Sequence, residues 1–253
     1  MVGKTKAFLV LSACVCAAVA QVRVAVIAHR GEHLHHAENT LPAYQAAIDA
    51  GADFIEVDVR TTSDGKLVIM HDATVDSQTN GKGAVKDMTF AQIRALDVRG
   101  SKVPTFDEVL DLARGKIGVY VDSKQVSGAD MIAAVERYDM QDRIVVYGGH
   151  KYLKDVAALR PTIKVMPESV SAAACRRLVD ELHPKVIAFD ARDFTDEIIA
   201  IAKNAKADIY VDRFGDADTP ASWQDAVDRG ATGIQTNKPA ELVGYLRSRG
   251  YHQ

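Results

Sequence analysis

Hydrophobic positions follow two patterns that alternate along the chain. Short runs rich in β-branched and aromatic residues are typical of buried strands, and between them the apolar residues have helical spacing. The predicted strands are residues 23–28, 53–59, 117–122, 144–147, 163–166, 186–190, 208–212 and 233–236. The predicted helices between and after them are residues 40–50, 129–137, 152–159, 172–182, 195–204, 222–228 and 240–247. Eight β-α units in one domain predict a closed (β/α)8 TIM barrel of parallel strands, with a doubly wound open sheet as the alternative.

The segment from residue 60 to residue 116 interrupts this alternation and predicts a short insertion after the second strand. An Asp64-Gly65 turn follows the strand, and residues 67–70 form a returning strand that ends at His71. Residues 88–96 and 106–113 have helical spacing and are predicted to cover this end of the barrel.

Two carboxylates interrupt the apolar run of the second predicted strand. Successive strand side chains point to opposite faces, so Glu56 and Asp58 share one face while Ile55 and Val57 lie on the other. A bound Mg²⁺ or Ca²⁺ ion would offset the repulsion between these like charges. The alternative is purely structural, with one carboxylate capping a helix and the other paired with an arginine.

Composition is that of an ordinary globular protein. The 253 residues are 47% hydrophobic and 26% charged with a formal net charge of -3, which suits one large barrel domain or two small ones. No block of basic residues predicts a nucleic-acid partner. Cys175 is the one cysteine beyond the leader described next, and its helical surroundings predict a buried, inert thiol.

The first 20 residues read as a secretory signal peptide, which leaves residues 21–253 as a single barrel domain. Two lysines precede an apolar run, and Ala18-Val19-Ala20 is an A-x-A cleavage site. The run is too short for a stable membrane span. An alternative is cleavage before Cys14, because Leu11-Ser12-Ala13-Cys14 resembles a lipoprotein box and would give a lipid anchor at Cys14. Either way we expect an exported protein, periplasmic or secreted, or else a membrane-tethered lipoprotein.

Polar residues cluster where the predicted strands end, which is the end of a barrel that carries the active site. They are His29, Arg30, Glu56, Asp58, His71, Asp122 and Lys124. Carboxylates suit a metal ion, the arginine and lysine suit phosphate oxygens, and two histidines can divide acid and base work near neutral pH. The set predicts hydrolysis of a phosphodiester.

Several segments together resemble the glycerophosphodiester phosphodiesterase family, in the right order and over nearly the whole chain after the leader. They are Ala28-His29-Arg30-Gly31, Ala37-Glu38-Asn39-Thr40, the stretch from Gly51 to Val59, Thr62 with Asp64-Gly65, Val68-Ile69-Met70-His71-Asp72, Thr79-Asn80-Gly81-Lys82-Gly83, the stretch from Val103 to Leu110, and the stretch from Gly230 to Pro239. The family fold is a (β/α)8 barrel, which agrees with the strand count.

The resemblance implies a role for each matching residue. His29 and His71 would be the catalytic acid/base pair, and Glu56, Asp58 and Asp122 would ligate one divalent metal ion, Ca²⁺ or Mg²⁺. Arg30 and Lys124 would bind the substrate phosphate. The sequence departs from the family in two respects that bear on the site. Asp122 stands where the family usually has glutamate, and Asp212 lies in a segment that often carries tryptophan.

The expected activity is hydrolysis of a small-molecule glycerophosphodiester to an alcohol and glycerol phosphate. One alternative is a phospholipase D-like enzyme acting on lysophospholipids, and another is an exported phosphodiester-binding protein without catalysis. The run His33-Leu34-His35-His36 could form a second metal site, but its irregular spacing in a loop favours a solvated rim or lid.

Overall fold

The computed structural model describes residues 23–253, which fold as a closed barrel. Its strands in this range are β1 (Ala25–Ala28), β2 (Phe54–Thr61), β3 (Leu67–Ile69), β4 (Gly118–Gln125), β5 (Ile144–Tyr147), β6 (Lys164–Met166), β7 (Val186–Phe189), β8 (Asp208–Arg213) and β9 (Gly233–Thr236). Eight of them pair in the order β6-β5-β4-β2-β1-β9-β8-β7, and every pair along that path is parallel.

The ring closes through the segment that follows β6. The Ser169 amide donates to the Ala188 carbonyl at 3.0 Å, and the Ala188 amide donates to the Pro167 carbonyl at 3.0 Å. These two bonds join the outer strands of the path, so the sheet has no open edge there. The predicted (β/α)8 TIM barrel is confirmed, and the open-sheet alternative is wrong.

Helices cover the outside of the barrel. They are α1 (Leu41–Ala50), α2 (Phe90–Ala95), α3 (Phe106–Ala113), α4 (Gly128–Arg137), α5 (His150–Leu159), α6 (Ala172–Leu182), α7 (Asp196–Asn204), α8 (Pro220–Arg229) and α9 (Pro239–Ser248). Their starts have local causes. At α3, for example, the Thr105 hydroxyl accepts from the Glu108 amide at 3.0 Å while the Glu108 carboxylate accepts from the Thr105 amide at 2.8 Å.

The barrel interior is apolar along most of its length and polar at the carboxyl ends of the strands. Side chains that alternate inward form a buried cluster made of Ile27, Tyr120, Val145, Met166, Val186, Ala188 and Tyr210. Because strand side chains repeat every two residues, the next inward positions on β4 and β8 are Asp122 and Asp212. The apolar interior therefore supports a polar layer at the carboxyl ends of the strands.

The insertion after β2 is a hairpin, as the Asp64-Gly65 turn predicts. Strand β3 pairs antiparallel with the far end of β2, joining Thr61 to Leu67 and Val59 to Ile69. Its underside has an apolar cluster of its own, formed by Val68, Met70, Val75, Val85, Ile93, Val98 and Val103. This packing holds the segment that carries His71 beside the barrel mouth.

The predicted signal peptide and Cys14 lie outside the described residues. Of the helices between residues 23 and 253, none is both long and apolar enough to cross a membrane. Cys175 is a buried free thiol, as predicted. The domain boundary at residue 21 stays a prediction.

Candidate active site

A cavity of about 110 Å³ lies at the carboxyl ends of the strands. All seven residues predicted from the sequence line it, namely His29, Arg30, Glu56, Asp58, His71, Asp122 and Lys124. Tyr120, Tyr147, Glu168, Ala188, Asp212, Phe214 and Gln235 complete the lining. The seven predicted residues, which run from His29 to Lys124 in the sequence, thus meet at one site, because parallel strands bring their carboxyl ends together.

Three of these side chains form an acidic cluster. Glu56, Asp58 and Asp122 each place a carboxylate oxygen within 4.8 Å of the others. Asp58 and Asp122 are paired neighbours on β2 and β4, which puts their side chains on the same face of the sheet. Glu56 and Asp58 are only 2% and 1% exposed. Among residues 23–253 this is the one group of three or more acidic, histidine or cysteine side chains with such geometry.

The electrostatics of the cluster favour a bound cation. Burial, with added repulsion from Asp58 and Asp122, raises the pKa of Glu56 well above its usual value. Burial also raises the pKa of Asp122, against an opposing effect from Lys124. A hard divalent ion takes oxygen ligands and would relieve this repulsion, so the three carboxylates fit a metal site.

Further side chains hold Asp58 in place. The Asn39 amide donates to Asp58 Oδ2 at 2.7 Å, and the Tyr44 hydroxyl donates to Asn39 Oδ1 at 2.7 Å. Thr40 caps α1 through its side chain, so neither Glu38 nor Asn39 has that role. Asn39 instead orients a carboxylate of the acidic cluster, which limits that carboxylate to one position.

Arg30 and Lys124 lie against the acidic cluster. Lys124 Nζ is 2.7 Å from Asp122 Oδ2 and 3.4 Å from Asp58 Oδ1. Arg30 Nε is 3.5 Å from Asp58 Oδ2, and the Arg30 backbone amide donates to Glu56 at 2.9 Å. The two cations therefore border the position where an anionic substrate would approach a metal ion.

The loop after β1 bends sharply to bring Arg30 into place. Arg30 has φ of 54°, and Gly31 follows with φ of 84°. A Cβ atom on Gly31 would lie 2.7 Å from the backbone of Ala43, so only glycine fits between the loop and α1. Glu38 then accepts two hydrogen bonds of 3.1 Å from Arg30 Nη1, which fixes the guanidinium.

His29 directly follows β1 and is held by a neutral partner. Its Nδ1 donates to Asn237 Oδ1 at 2.7 Å, and its ring stacks on Phe214 with centroids 4.4 Å apart. Burial lowers the pKa of His29 to about 4, outweighing the Asn237 hydrogen bond that raises it. With Nδ1 engaged, Nε2 is the nitrogen that can exchange a proton in the cavity.

His71 stands at the end of the hairpin and has a charged partner. Its Nδ1 lies 2.7 Å from Asp72 Oδ1, and a carboxylate can only accept there. The side chain of His71 is 34% exposed and that of Asp72 is 42% exposed. The Ser77 hydroxyl donates to the other oxygen of Asp72. As in His29, this leaves Nε2 for proton transfer.

Asp218 is a supporting residue that the sequence did not single out. It is 1% exposed and accepts from Trp223 Nε1 at 2.8 Å, from the Thr236 hydroxyl at 2.6 Å and from the Asn237 backbone amide at 2.8 Å. These bonds fix the loop that carries Asn237, and through it the ring of His29. Trp223 is itself buried in the core.

The histidines of the loop after β1 bond to nearby residues. His33 Nδ1 lies 2.9 Å from the His29 carbonyl, and His35 Nδ1 lies 3.0 Å from Glu32. The side chain of His35 is 79% exposed. These contacts support the prediction of a solvated rim.

Known proteins resemble the chain over most of its length. The Glycerophosphoryl diester phosphodiesterase family profile matches residues 29–241. A glycerophosphodiester phosphodiesterase from Caldanaerobacter subterraneus is 37% identical over 160 residues, covering 57% of this chain and 66% of that protein, just under two thirds of its length. The uncharacterized Bacillus subtilis protein YqiK is 28% identical over 245 residues, covering 88% of this chain and 98% of that protein.

A solved structure agrees with these matches. The crystal structure of a glycerophosphodiester phosphodiesterase from Agrobacterium tumefaciens superimposes with a TM-score of 0.79 and 28% identity. The superposition covers 87% of this chain and 98% of that one. The chain belongs to the glycerophosphoryl diester phosphodiesterase family.

Proposed function

We propose that this protein hydrolyses glycerophosphodiesters to an alcohol and a glycerol phosphate. The observation that carries the proposal is one cavity lined by two histidines, three clustered carboxylates and two cationic side chains. Each element has a task in cleaving a phosphodiester, and the family relationship points to the same substrate class. A phosphate-binding protein without catalysis would not need two histidines with anchored Nδ1 atoms.

Glu56, Asp58 and Asp122 are proposed to hold one divalent metal ion, Ca²⁺ or Mg²⁺. When bound, such an ion supplies positive charge that stabilises the negative charge developing on the phosphate. Arg30 and Lys124 are proposed to bind the non-bridging phosphate oxygens, because both border the acidic cluster. The Glu38 contact leaves the guanidinium already oriented before substrate arrives.

His29 and His71 are proposed to transfer the protons. One imidazole takes the proton of the attacking hydroxyl as its oxygen bonds to phosphorus. That hydroxyl is either water or the glycerol hydroxyl beside the phosphate, and in the second case a water molecule then opens the cyclic phosphate to give glycerol phosphate. The other gives a proton to the alkoxide that leaves as the P–O bond breaks. Both rings line the same cavity and both have Nδ1 engaged, so their Nε2 atoms are suited to these roles.

The lining also favours a water-soluble diester over a lysophospholipid. Most of the side chains around the cavity are charged or polar, and an acyl chain would gain little by contacting them.

Chelation tests the proposal directly. Hydrolysis of glycerophosphocholine, followed as released choline, should stop in EDTA and return when Ca²⁺ or Mg²⁺ is added in excess. Full turnover in EDTA would contradict the metal role. If the protein binds glycerophosphocholine but releases no choline with any divalent ion, the alternative of a binding protein without catalysis would be correct.

We also propose that the protein is exported and that residues 21–253 form its mature domain. The support is the leader pattern in residues 1–20. The mass of the protein recovered from the exported fraction distinguishes cleavage after Ala20 from a lipidated Cys14. Recovery of full-length protein from the cytoplasm would contradict both.

A further inference from the structure

Across the barrel from the acidic cluster, the cavity has a second set of oxygen acceptors. We call Glu168, Asp212 and Gln235 the acceptor lobe. The acidic cluster lies on β2 and β4, whereas Asp212 and Gln235 lie on the neighbouring strands β8 and β9, and Glu168 follows β6. The roles proposed above for the phosphodiesterase reaction leave all three side chains without a task.

Strand register directs the acceptor lobe into the cavity. Asp212 and Gln235 are paired neighbours on β8 and β9, so their side chains lie on the same face. That face is the barrel interior, because Tyr210, two residues before Asp212, belongs to the interior cluster. Glu168 bridges to Ala188, another member of that cluster. The three side chains thus line one region of the cavity.

Donors for these oxygens are scarce. Gln235 is 5% exposed, and its buried Oε1 accepts no hydrogen bond in the structure. No residue between 23 and 253 donates a hydrogen bond to the Asp212 carboxylate, whereas Glu168 accepts one from the Tyr147 hydroxyl at 2.9 Å. The neighbouring Arg213 faces elsewhere, toward Asp225 and the Ser222 carbonyl. A buried acceptor without a donor is costly, which points to a ligand that donates.

The charge of the region favours a cation. Burial, followed by repulsion from Glu168 and Asp190, raises the pKa of Asp212 to about 8. A positive ligand would relieve this repulsion. The rings of Tyr120 and Tyr147, 6.0 Å apart, border the same cavity and provide aromatic surface next to it.

An ammonium group fits the acceptor lobe better than a second metal ion. The acceptor lobe offers two carboxylates and one neutral amide, whereas the acidic cluster of Glu56, Asp58 and Asp122 offers three carboxylates to a metal ion. Acceptors spread over three elements, one of them a neutral amide, match the separate N–H donors of a primary ammonium.

We propose that the acceptor lobe binds the protonated primary amine of the substrate's alcohol moiety, so that an ethanolamine ester is preferred over esters of uncharged alcohols. This inference rests on the proposed function, and it names the substrate class for it. With phosphate at the acidic cluster, the departing alcohol would extend across the cavity toward Asp212. Selectivity would then come from the positive charge, because an ammonium donates charge-assisted hydrogen bonds to Asp212 whereas the hydroxyls of a neutral alcohol donate weaker, uncharged ones.

The test compares kcat/KM for glycerophosphoethanolamine and glycerophosphoglycerol on the same metal-loaded preparation, so that differences in metal content cancel in the ratio. Wild-type protein should favour the ethanolamine ester by about tenfold or more, the size expected for a hydrogen bond between charged groups. Asp212→Asn, which keeps the side-chain shape, should lower that ratio about tenfold. Asp216→Asn removes one charge from an exposed position close in sequence and outside the lining, and should leave the ratio unchanged.

Three outcomes would overturn the inference while leaving hydrolysis itself intact. They are a wild-type ratio near one, an Asp212→Asn variant that loses both activities equally, and equal or better use of glycerophosphocholine, whose quaternary ammonium has no N–H to donate. Glu168→Gln repeats the comparison at an exposed position should Asp212→Asn fail to fold. Absence of hydrolysis of every ester would instead contradict the proposed function.

Discussion

The two histidines at the cavity are supported in opposite ways. His29 directly follows β1, a strand of the closed ring, and its partner Asn237 is fixed by the buried Asp218. His71 ends a hairpin outside the ring, and its partner is the adjacent residue Asp72, which is 42% exposed. One imidazole is thus part of the packed interior, whereas the other depends on a local pair at the surface.

This difference separates catalytic geometry from fold stability. The bonds that orient His29 also join Trp223 and Thr236 in the core, so a change there should affect both activity and unfolding. The His71–Asp72 pair lies in solvent-accessible surroundings, where single contacts contribute little to the free energy of unfolding. Changes around His71 should therefore alter activity alone.

Removing either imidazole should have the largest effect. His29→Ala and His71→Ala should each lower kcat for a glycerophosphodiester by about 10²- to 10⁴-fold, the usual contribution of one acid or base. The kcat of the double variant should be only slightly below that of the less active single variant, because the two groups act in one step. His150→Ala is the matched control, since this histidine pairs with Glu181 and does not line the cavity. If kcat falls tenfold or less in either variant, that histidine is not an acid or base in the reaction.

The pH dependence of stability should distinguish the two histidines next. The pKa of His29 is lowered from 6.5 to about 4 in the folded protein, so the unfolded chain binds more protons between these values. The contribution of neutral His29 to the free energy of unfolding is therefore fully present above pH 6.5. It is lost as the pH falls toward 4, and the loss is roughly 3 kcal/mol at most.

Urea unfolding at pH 7 and at pH 4.5 checks this expectation against His29→Gln, an amide that does not titrate. The wild-type protein should lose more stability than the variant between the two pH values. Parallel losses would mean that burial does not hold this ring neutral.

Local sequence predicts the frame of the molecule and the residues facing the cavity. The two-residue period puts Glu56 and Asp58 on one face, and the Asp64-Gly65 turn gives the hairpin that carries His71. Such patterns repeat within a few residues, so they can be read without knowledge of the fold. The strand-end rule then assembles the site from separate segments.

Partners distant in sequence could not be predicted this way. Asn237 lies 208 positions from the His29 ring that it holds, and Asn39 lies 19 positions from Asp58. No local period relates such pairs, because their contact depends on how the barrel closes. The His71-Asp72 pair was a missed signal of a different kind, since a carboxylate directly after a histidine at a strand end suggests its own partner.

The smallest expected effects come from changing the residues that support the two histidines, Asp72 for His71 and Asp218 for His29. Asp72→Asn keeps a hydrogen-bond acceptor for His71 but removes the charge, and kcat should fall about tenfold with the melting temperature nearly unchanged.

In Asp218→Asn, the new amide would face the donors of Trp223, Thr236 and Asn237. One donor would be left buried and unpaired, so the variant should lose about 1 to 3 kcal/mol of stability. The melting temperature and kcat of both variants are measured side by side. Equal destabilisation by the two substitutions would show that His71 is as tightly coupled to the fold as His29.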